Sequence, residues 1–137
     1  MVNKILENVC LYNFKEHEEK NKNGHKYNKQ EVIDQFFKFF DKGSPILGEL
    51  NHYNTNLDLV NLNIKNLSHA IFNIHKMDDG IYGDVEILYT DNGKIVLSLI
   101  ENDIPIIFGL RGTGVVDPDG NITNFDLIAV DIINEKA

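Results

Sequence analysis

The sequence predicts an α+β domain built mainly from antiparallel strands, in a bent sheet or partial barrel with two helices packed on it. Two stretches carry apolar residues at helical spacing, while several others alternate apolar and polar residues as strands do. Turn sequences rich in Asp, Asn and Gly separate the strand-like stretches. A chain of 137 residues suffices for one domain that buries about two thirds of its unfolded surface. We therefore expect a single domain over residues 1–137, without predicting its strand order.

The first part of the chain predicts short strands, a loop and a helix. Residues 2–14 have the pattern of one or two short strands, and the polar residues 15–29 are expected to form an exposed loop. Asn28 is a candidate helix cap, and Glu31 follows three residues later as in a capping box. We expect this helix to end near Gly43. Its apolar stripe consists of Val32, Ile33, Phe36, Phe37 and Phe40.

The second half predicts a hairpin, a helix and a final pair of strands. The alternating residues 67–76 and 81–90 are joined by a turn sequence that ends at Gly80. In the first of these strands, strict alternation places Ile71 and Ile74 on opposite faces. The remaining elements are a helix opened by Asp91 and closed by Pro105, a strand over residues 106–114, a turn over 117–121 and a last strand from Ile122 to Ile133.

Composition excludes several classes of function. The net charge of -8 argues against a nucleic-acid-binding face, and no apolar run approaches the roughly eighteen residues that span a bilayer. The start lacks the apolar core of a signal peptide, so we expect a cytoplasmic protein without membrane contact. The single Cys10 cannot form an internal disulfide. His17 and His25 lack ligand-like spacing, so we predict neither a metal nor another cofactor.

The stretch around Arg111 is the most informative part of the sequence. Arg111 is the single arginine beside twelve lysines, and it lies in a Gly-rich run, Gly109-Leu110-Arg111-Gly112-Thr113-Gly114. A planar guanidinium presents several hydrogen-bond donors in a fixed geometry, whereas a lysine ammonium is a compact point charge. Arg111 is therefore a candidate site residue, with a structural ion pair to one of the many acids as the alternative.

Nucleophilic hydrolysis needs a nucleophile, a base, a group that orients the base, and donors for the developing oxyanion. His52 is the candidate base, and Asp131 or Asp126 is the candidate orienting carboxylate. The Gly-rich run from Arg111 offers backbone N–H groups and a cation. The nucleophile is missing, because none of the three serines lies in that run.

Several short motifs together resemble the prohead (capsid maturation) proteases of tailed bacteriophages, serine proteases related in fold to the herpesvirus assemblin. In chain order they are Gly48-Glu49-Leu50-Asn51-His52, Asn66-Leu67-Ser68-His69, a hairpin, Asn92-Gly93 with a helix, Phe108 to Gly114, and Phe125 to Asp131. Each motif is weak alone. Their shared order covers nearly the whole chain, from about Gly24 to Ile133.

The resemblance implies roles for individual positions. The family's catalytic His corresponds to His52, although Asn51 and Tyr53 replace the usual Asp and Pro around it. Its nucleophilic Ser corresponds to Gly109 or, in another register, to Leu110, and neither residue can attack a carbonyl. Asp131 corresponds best to the third member of the triad, with Asp126 as the alternative. The family's Arg-Gly element falls on Arg111 and Gly112, while His69 is a further imidazole whose motif looks structural.

The implied function is that of a prohead-protease-like serine peptidase scaffold that would cleave scaffold or capsid proteins but lacks its nucleophile. Whether the chain is an enzyme stays open, as does whether the loss is natural or engineered. The alternative is a non-enzymatic phage protein that uses the fold as a binding or head-assembly module. A host α+β domain without a phage link is a third reading. The implied partners are phage scaffold or capsid proteins, self-association is left open, and the implied location is the host cytoplasm or the prohead interior.

Overall fold

A computed structural model describes residues 3–16, 18, 24–50 and 62–133 of the chain. It contains two helices and antiparallel sheets, so the predicted α+β class is confirmed. The strands are β1 (Lys4–Asn13), β2 (Ile46–Glu49), β3 (Leu67–Met77), β4 (Gly80–Ile87), β5 (Ile107–Val116) and β6 (Ile122–Ile133). The helices are α1 (Lys29–Lys42) and α2 (Asp91–Glu101), and a 3-10 turn over Ile64–Asn66 precedes β3.

The strands form a four-stranded sheet in the order β1-β4-β3-β2 and a two-stranded sheet of β5 and β6. Leu50, directly after β2, forms a parallel bridge with Ile132 of β6, which brings the two sheets side by side. A second bridge joins Lys26 to Asn121 at the turn of the β5–β6 hairpin. The two sheets therefore meet along β2 and β6. Arg111 of β5 contacts Glu49 of β2 and Asp131 of β6 at this junction.

Helix α1 packs against β6 and supplies both apolar and polar contacts. Val32, Ile33 and Phe36 are buried on its inner face. The Glu31 and Gln35 side chains accept hydrogen bonds from the backbone N–H groups of Phe125 and Leu127, at 3.0 and 2.9 Å. These bonds satisfy backbone donors where the register of β5 and β6 shifts.

The ends of α1 follow the predicted chemistry in part. Asn28 caps the helix by accepting from the Glu31 N–H, but the Glu31 carboxylate contacts β6, so no reciprocal capping box is seen. Gly43 ends the helix in the left-handed conformation, with φ 66°. The buried face of α1 is narrower than the apolar stripe in the sequence, because Phe40 belongs to the stripe but is exposed.

Several boundaries and contacts differ from the sequence prediction. In β3, Asn73 has φ 54° at a register shift, and this bulge turns Ile71 and Ile74 to the same buried side instead of opposite faces. Helix α2 ends at Glu101, four residues before Pro105, and Thr90 caps its start instead of ending the preceding strand. In the loop expected over residues 15–29, Tyr27 packs edge-on against Phe125.

Candidate functional site

The candidate site lies where the end of β2 contacts the end of β6. We call this junction, residues 48–50 and 130–132, the seam. The backbone N–H of Glu49 donates to Asp131 Oδ1 at 2.9 Å, beside the bridge between Leu50 and Ile132. The seam therefore combines backbone pairing with side-chain contacts from both sheets.

Glu49, Arg111 and Asp131 form a buried ion-pair group at the seam, which we call the arginine cluster. Arg111 Nη2 donates to Glu49 Oε2 at 3.0 Å and to Asp131 Oδ1 at 3.2 Å. Arg111 Nε lies 2.9 Å from Asp131 Oδ2, an ion-pair contact without hydrogen-bond alignment. The side chains meet because Gly109 pairs with Asp131 across the hairpin, and residues two apart on β5 share a face.

The arginine cluster is almost completely removed from solvent. The side chains of Arg111, Glu49 and Asp131 are 4%, 1% and 4% exposed. The cation bridges two carboxylates on different strands, which the planar guanidinium fork allows and a lysine ammonium does less well. This is the structural ion pair that the sequence left open for Arg111. Removing the cation would leave two carboxylates buried without compensation.

Next to the arginine cluster, His69 of β3 forms an uncharged hydrogen bond to Val130 of β6, which we call the neutral link. The His69 Nε2 donates to the Val130 carbonyl at 2.7 Å, because a carbonyl oxygen can only accept. Nδ1 then accepts from the Ser68 hydroxyl at 2.7 Å. Burial lowers the pKa of His69 to about 4, although the bond to Val130 opposes the shift. Both ring nitrogens are occupied, so this imidazole has a structural arrangement.

Gly48 leaves the space that the His69 ring occupies. A Cβ on Gly48 would lie 2.1 Å from the Val130 carbonyl oxygen and 2.2 Å from His69 Nε2. The hydrogen bond between the sheets therefore requires glycine at this position. The sequence shows a glycine before Glu49, but it does not show why glycine is needed there. The reason is the close approach of His69 from β3 and of the Val130 carbonyl from β6.

Gly109 lies half-buried on β5, directly opposite Asp131. A Cβ at this position would lie 2.8 Å from Ile133 Cδ1, and its next contacts are the other carbons of the same side chain at 3.5 and 3.7 Å. The terminal methyl of Ile133 thus occupies the space beside residue 109. A larger residue there requires this flexible methyl to move.

Asp126 and Gly112, two further predicted site residues, take no part in the arginine cluster. Asp126 is exposed, 3.7 Å from Lys38, and it lies opposite Thr113 instead of joining the arginine cluster. A Cβ on Gly112 would meet the Asp126 carbonyl oxygen at 2.3 Å, so close strand packing also requires this glycine. His52 lies outside the described residues, and its predicted role stays a prediction.

Sequence reasoning gave Glu49 no role, although it lies inside one of the motifs singled out above. The signal that could have indicated a role for Glu49 is a carboxylate next to Gly48 in a short, largely apolar strand. A buried acid needs a partner. The single arginine was available for that role, but pairing them requires knowing that β2 lies beside β6.

Neither a metal-binding group of side chains nor a helix able to span a membrane is present among the described residues. Within residues 3–16, 18, 24–50 and 62–133, no three His, Cys, Asp or Glu side chains are grouped so as to hold a metal ion. Neither helix of this part of the chain has the length and apolar character that crossing a membrane requires.

Comparison with known proteins identifies the fold. The chain is similar to the capsid assembly protease gp21 of bacteriophage T4, with a TM-score of 0.75 and 17% sequence identity. The similarity covers 98% of this chain and 93% of that chain. No protein-family profile matches the sequence, and no curated protein matches it. The chain therefore has the fold of a phage prohead protease, established by structure and not by sequence identity.

Proposed function

We propose that this chain is a phage prohead (capsid maturation) protease-like protein, a serine peptidase scaffold in which Gly109 occupies the nucleophile position. The observation that carries the proposal is the similarity in fold to the T4 capsid assembly protease over 98% of the chain. The arrangement around residue 109 supports it. Gly109 lies directly across the hairpin from Asp131, the carboxylate that the family resemblance assigns to the site.

In the proposed site, His52 is the general base and Asp131 orients it. Arg111, held by Glu49 and Asp131, and Gly112 stand where the family's Arg-Gly element falls. A nucleophile at position 109 would lie next to Asp131 because the two residues pair across β5 and β6. Glycine has no atom that could attack a carbonyl or form an acyl-enzyme. The scaffold therefore lacks covalent catalysis as long as residue 109 is glycine.

Restoring a serine requires room as well as a hydroxyl. Gly109→Ser alone places its Cβ against Ile133 Cδ1. Ile133→Val removes that methyl and keeps a branched apolar side chain in the strand. The double variant, Gly109→Ser with Ile133→Val, is therefore the sharper test of the nucleophile position.

The test treats the parent chain, Gly109→Ser, Ile133→Val and the double variant with a fluorophosphonate probe, and reads intact mass and the labelled peptide. We expect labelling at residue 109 to be fastest in the double variant, absent from both chains that keep Gly109, and abolished by adding His52→Ala. A folded double variant without labelling would contradict the proposal. The binding or head-assembly module would then be the better account.

The partners implied by this function are the scaffold and capsid proteins of a phage head, because the neighbour is named as a capsid assembly protease. The corresponding location is the assembling prohead in the host cell. A chain that retains the substrate-binding surface of such a protease without the nucleophile would bind such proteins without cleaving them. Labelling of the double variant separates this case from a site that has also lost its base.

A further inference from the structure

A cavity lies beside the turn of the β5–β6 hairpin, where β1 ends. Its volume is about 350 Å³, within the range of roughly 300 to 1,000 Å³ that is usual for ligand pockets. Its floor is apolar, because the side chains of Tyr12, Phe14 and Ile122 are buried there. Asn121 and Thr123 at its rim are exposed. The cavity therefore has a buried floor and opens to solvent.

Aromatic rings make up much of the cavity floor. The Tyr12 ring meets the rings of Phe14 and Tyr27 edge to face, with centroids 5.9 and 6.5 Å apart. Aromatic pairs prefer this geometry, at centroid distances of about 4.5 to 7 Å. A further aromatic ring entering the cavity can continue the same arrangement. The floor therefore favours an aromatic side chain as its ligand.

Two lysines give the rim of the cavity a positive charge. Lys26 and Lys29 are both exposed there, against Glu18 as the acid among the described lining residues. Lys29 Nζ lies 4.3 Å from the centre of the Phe14 ring, which holds the ammonium beside the aromatic floor. Neither lysine forms an ion pair with a carboxylate in the described part of the chain. Because the whole chain has a net charge of -8, an acidic ligand is attracted at this rim in preference to the rest of the protein.

We propose that this cavity binds an acidic peptide segment of a partner protein, with an aromatic side chain on the floor and neighbouring carboxylates at Lys26 and Lys29. The open rim leaves room for the peptide chain to continue past the cavity on both sides.

The cavity is separate from the proposed protease site. Val116, which pairs with Ile122 at the cavity, lies seven residues after Gly109, or roughly 23 Å along an extended strand. A segment bound in the cavity therefore leaves residue 109 free. The inference does not rest on the proposed function, and either can fail without the other.

The test uses two blocked tripeptides of the same shape, one with phenylalanine followed by two glutamates and one with phenylalanine followed by two glutamines. Each is titrated into the isotope-labelled chain while the backbone amide signals are followed by NMR. We expect the glutamate peptide to shift the amides of residues 26–29 and 121–123 and to leave that of Gly109 unchanged. The glutamine peptide should bind about tenfold more weakly at about 0.01 M salt. The difference should disappear near 1 M salt, where the Debye length falls from about 30 to about 3 Å.

A matched pair of double variants assigns the effect to the cavity. Lys26→Gln with Lys29→Gln removes two charges from its rim, whereas Lys38→Gln with Lys42→Gln removes two from the far half of α1. All four lysines are exposed, so both variants should keep the melting temperature of the parent. We expect only the first variant to bind the glutamate peptide more weakly, by about tenfold.

Four results would overturn the inference. The glutamate peptide could shift no amides, or shift only amides away from the cavity. The glutamine peptide could bind as tightly at low salt, which would show that the carboxylates are not recognised. Equal weakening in the two double variants would show that the peptide senses the net charge of the chain and not the two lysines at the rim.

Discussion

Two links of opposite character join the sheets at adjacent residues of the seam. His69 donates to the Val130 carbonyl as a neutral imidazole, and Gly48 leaves room for its ring. One residue further along both strands, Glu49 and Asp131 meet the Arg111 guanidinium. The first link buries no charge, whereas the second buries one cation with two carboxylates.

The contrast shows how differently two buried polar links depend on their parts. The neutral link requires space and a deprotonated ring, so its weak points are a bulkier residue 48 and low pH. The arginine cluster requires all of its members, because each remaining charge would be buried without its partner.

Removing the cation from the arginine cluster should have the largest effect. We expect Arg111→Met to lower the free energy of unfolding by roughly 3 to 5 kcal/mol, because Glu49 and Asp131 then lose their shared partner. Urea denaturation followed by circular dichroism measures the loss. Lys38→Ala is the control: its ion pair with Asp126 is half exposed and should contribute below about 1 kcal/mol. Equal losses in the two variants would contradict the distinction.

The neutral link should make stability depend on pH. The pKa of His69 is about 4 in the folded chain against an ordinary value of 6.5, so the unfolded chain takes up this proton first. The stabilisation is complete above pH 6.5 and is lost as pH falls towards 4. Each unit between the two pKa values corresponds to about 1.4 kcal/mol, and we expect a total near 3 kcal/mol.

His69→Gln separates this titration from that of the carboxylates. Its amide can donate towards Val130 but does not titrate in this range. Denaturation between pH 7 and 4 should therefore show a shallower loss of stability in this variant than in the parent. Parallel pH curves would mean that His69 does not carry the dependence.

The two glycines beside the seam should respond unequally to alanine. At Gly48 the added Cβ meets the backbone of Val130, which cannot move away, so we expect a loss of about 1 to 3 kcal/mol. At Gly109 it meets a flexible methyl of Ile133, and the loss should stay below about 1 kcal/mol. Thermal denaturation ranks the two.

A double-mutant cycle of Gly109→Ala with Ile133→Val sharpens this last comparison. Relief of the contact should make the double variant more stable than the sum of the single effects. Strict additivity would show that Ile133 does not limit the space at residue 109.

The sequence by itself determined the elements whose signals are local. The helical stripe and the Asn28 cap located α1, and period-two alternation located the hairpin. The last strand was expected from Ile122 to Ile133, and β6 has these bounds. These signals depend on neighbours within one or two turns of chain, which a sequence displays directly. The bulge at Asn73 escaped, because one residue in a left-handed conformation reverses the face of everything that follows.

Only the tertiary structure shows which partners Arg111 and Gly48 have. The single arginine was visible in the sequence, but its pairing with Glu49 depends on β2 lying against β6, a contact between residues 62 positions apart. The need for glycine at position 48 likewise comes from a His69 ring supplied by another strand. Long-range packing places these groups within bonding distance, and no local pattern in the sequence encodes which distant strands become neighbours.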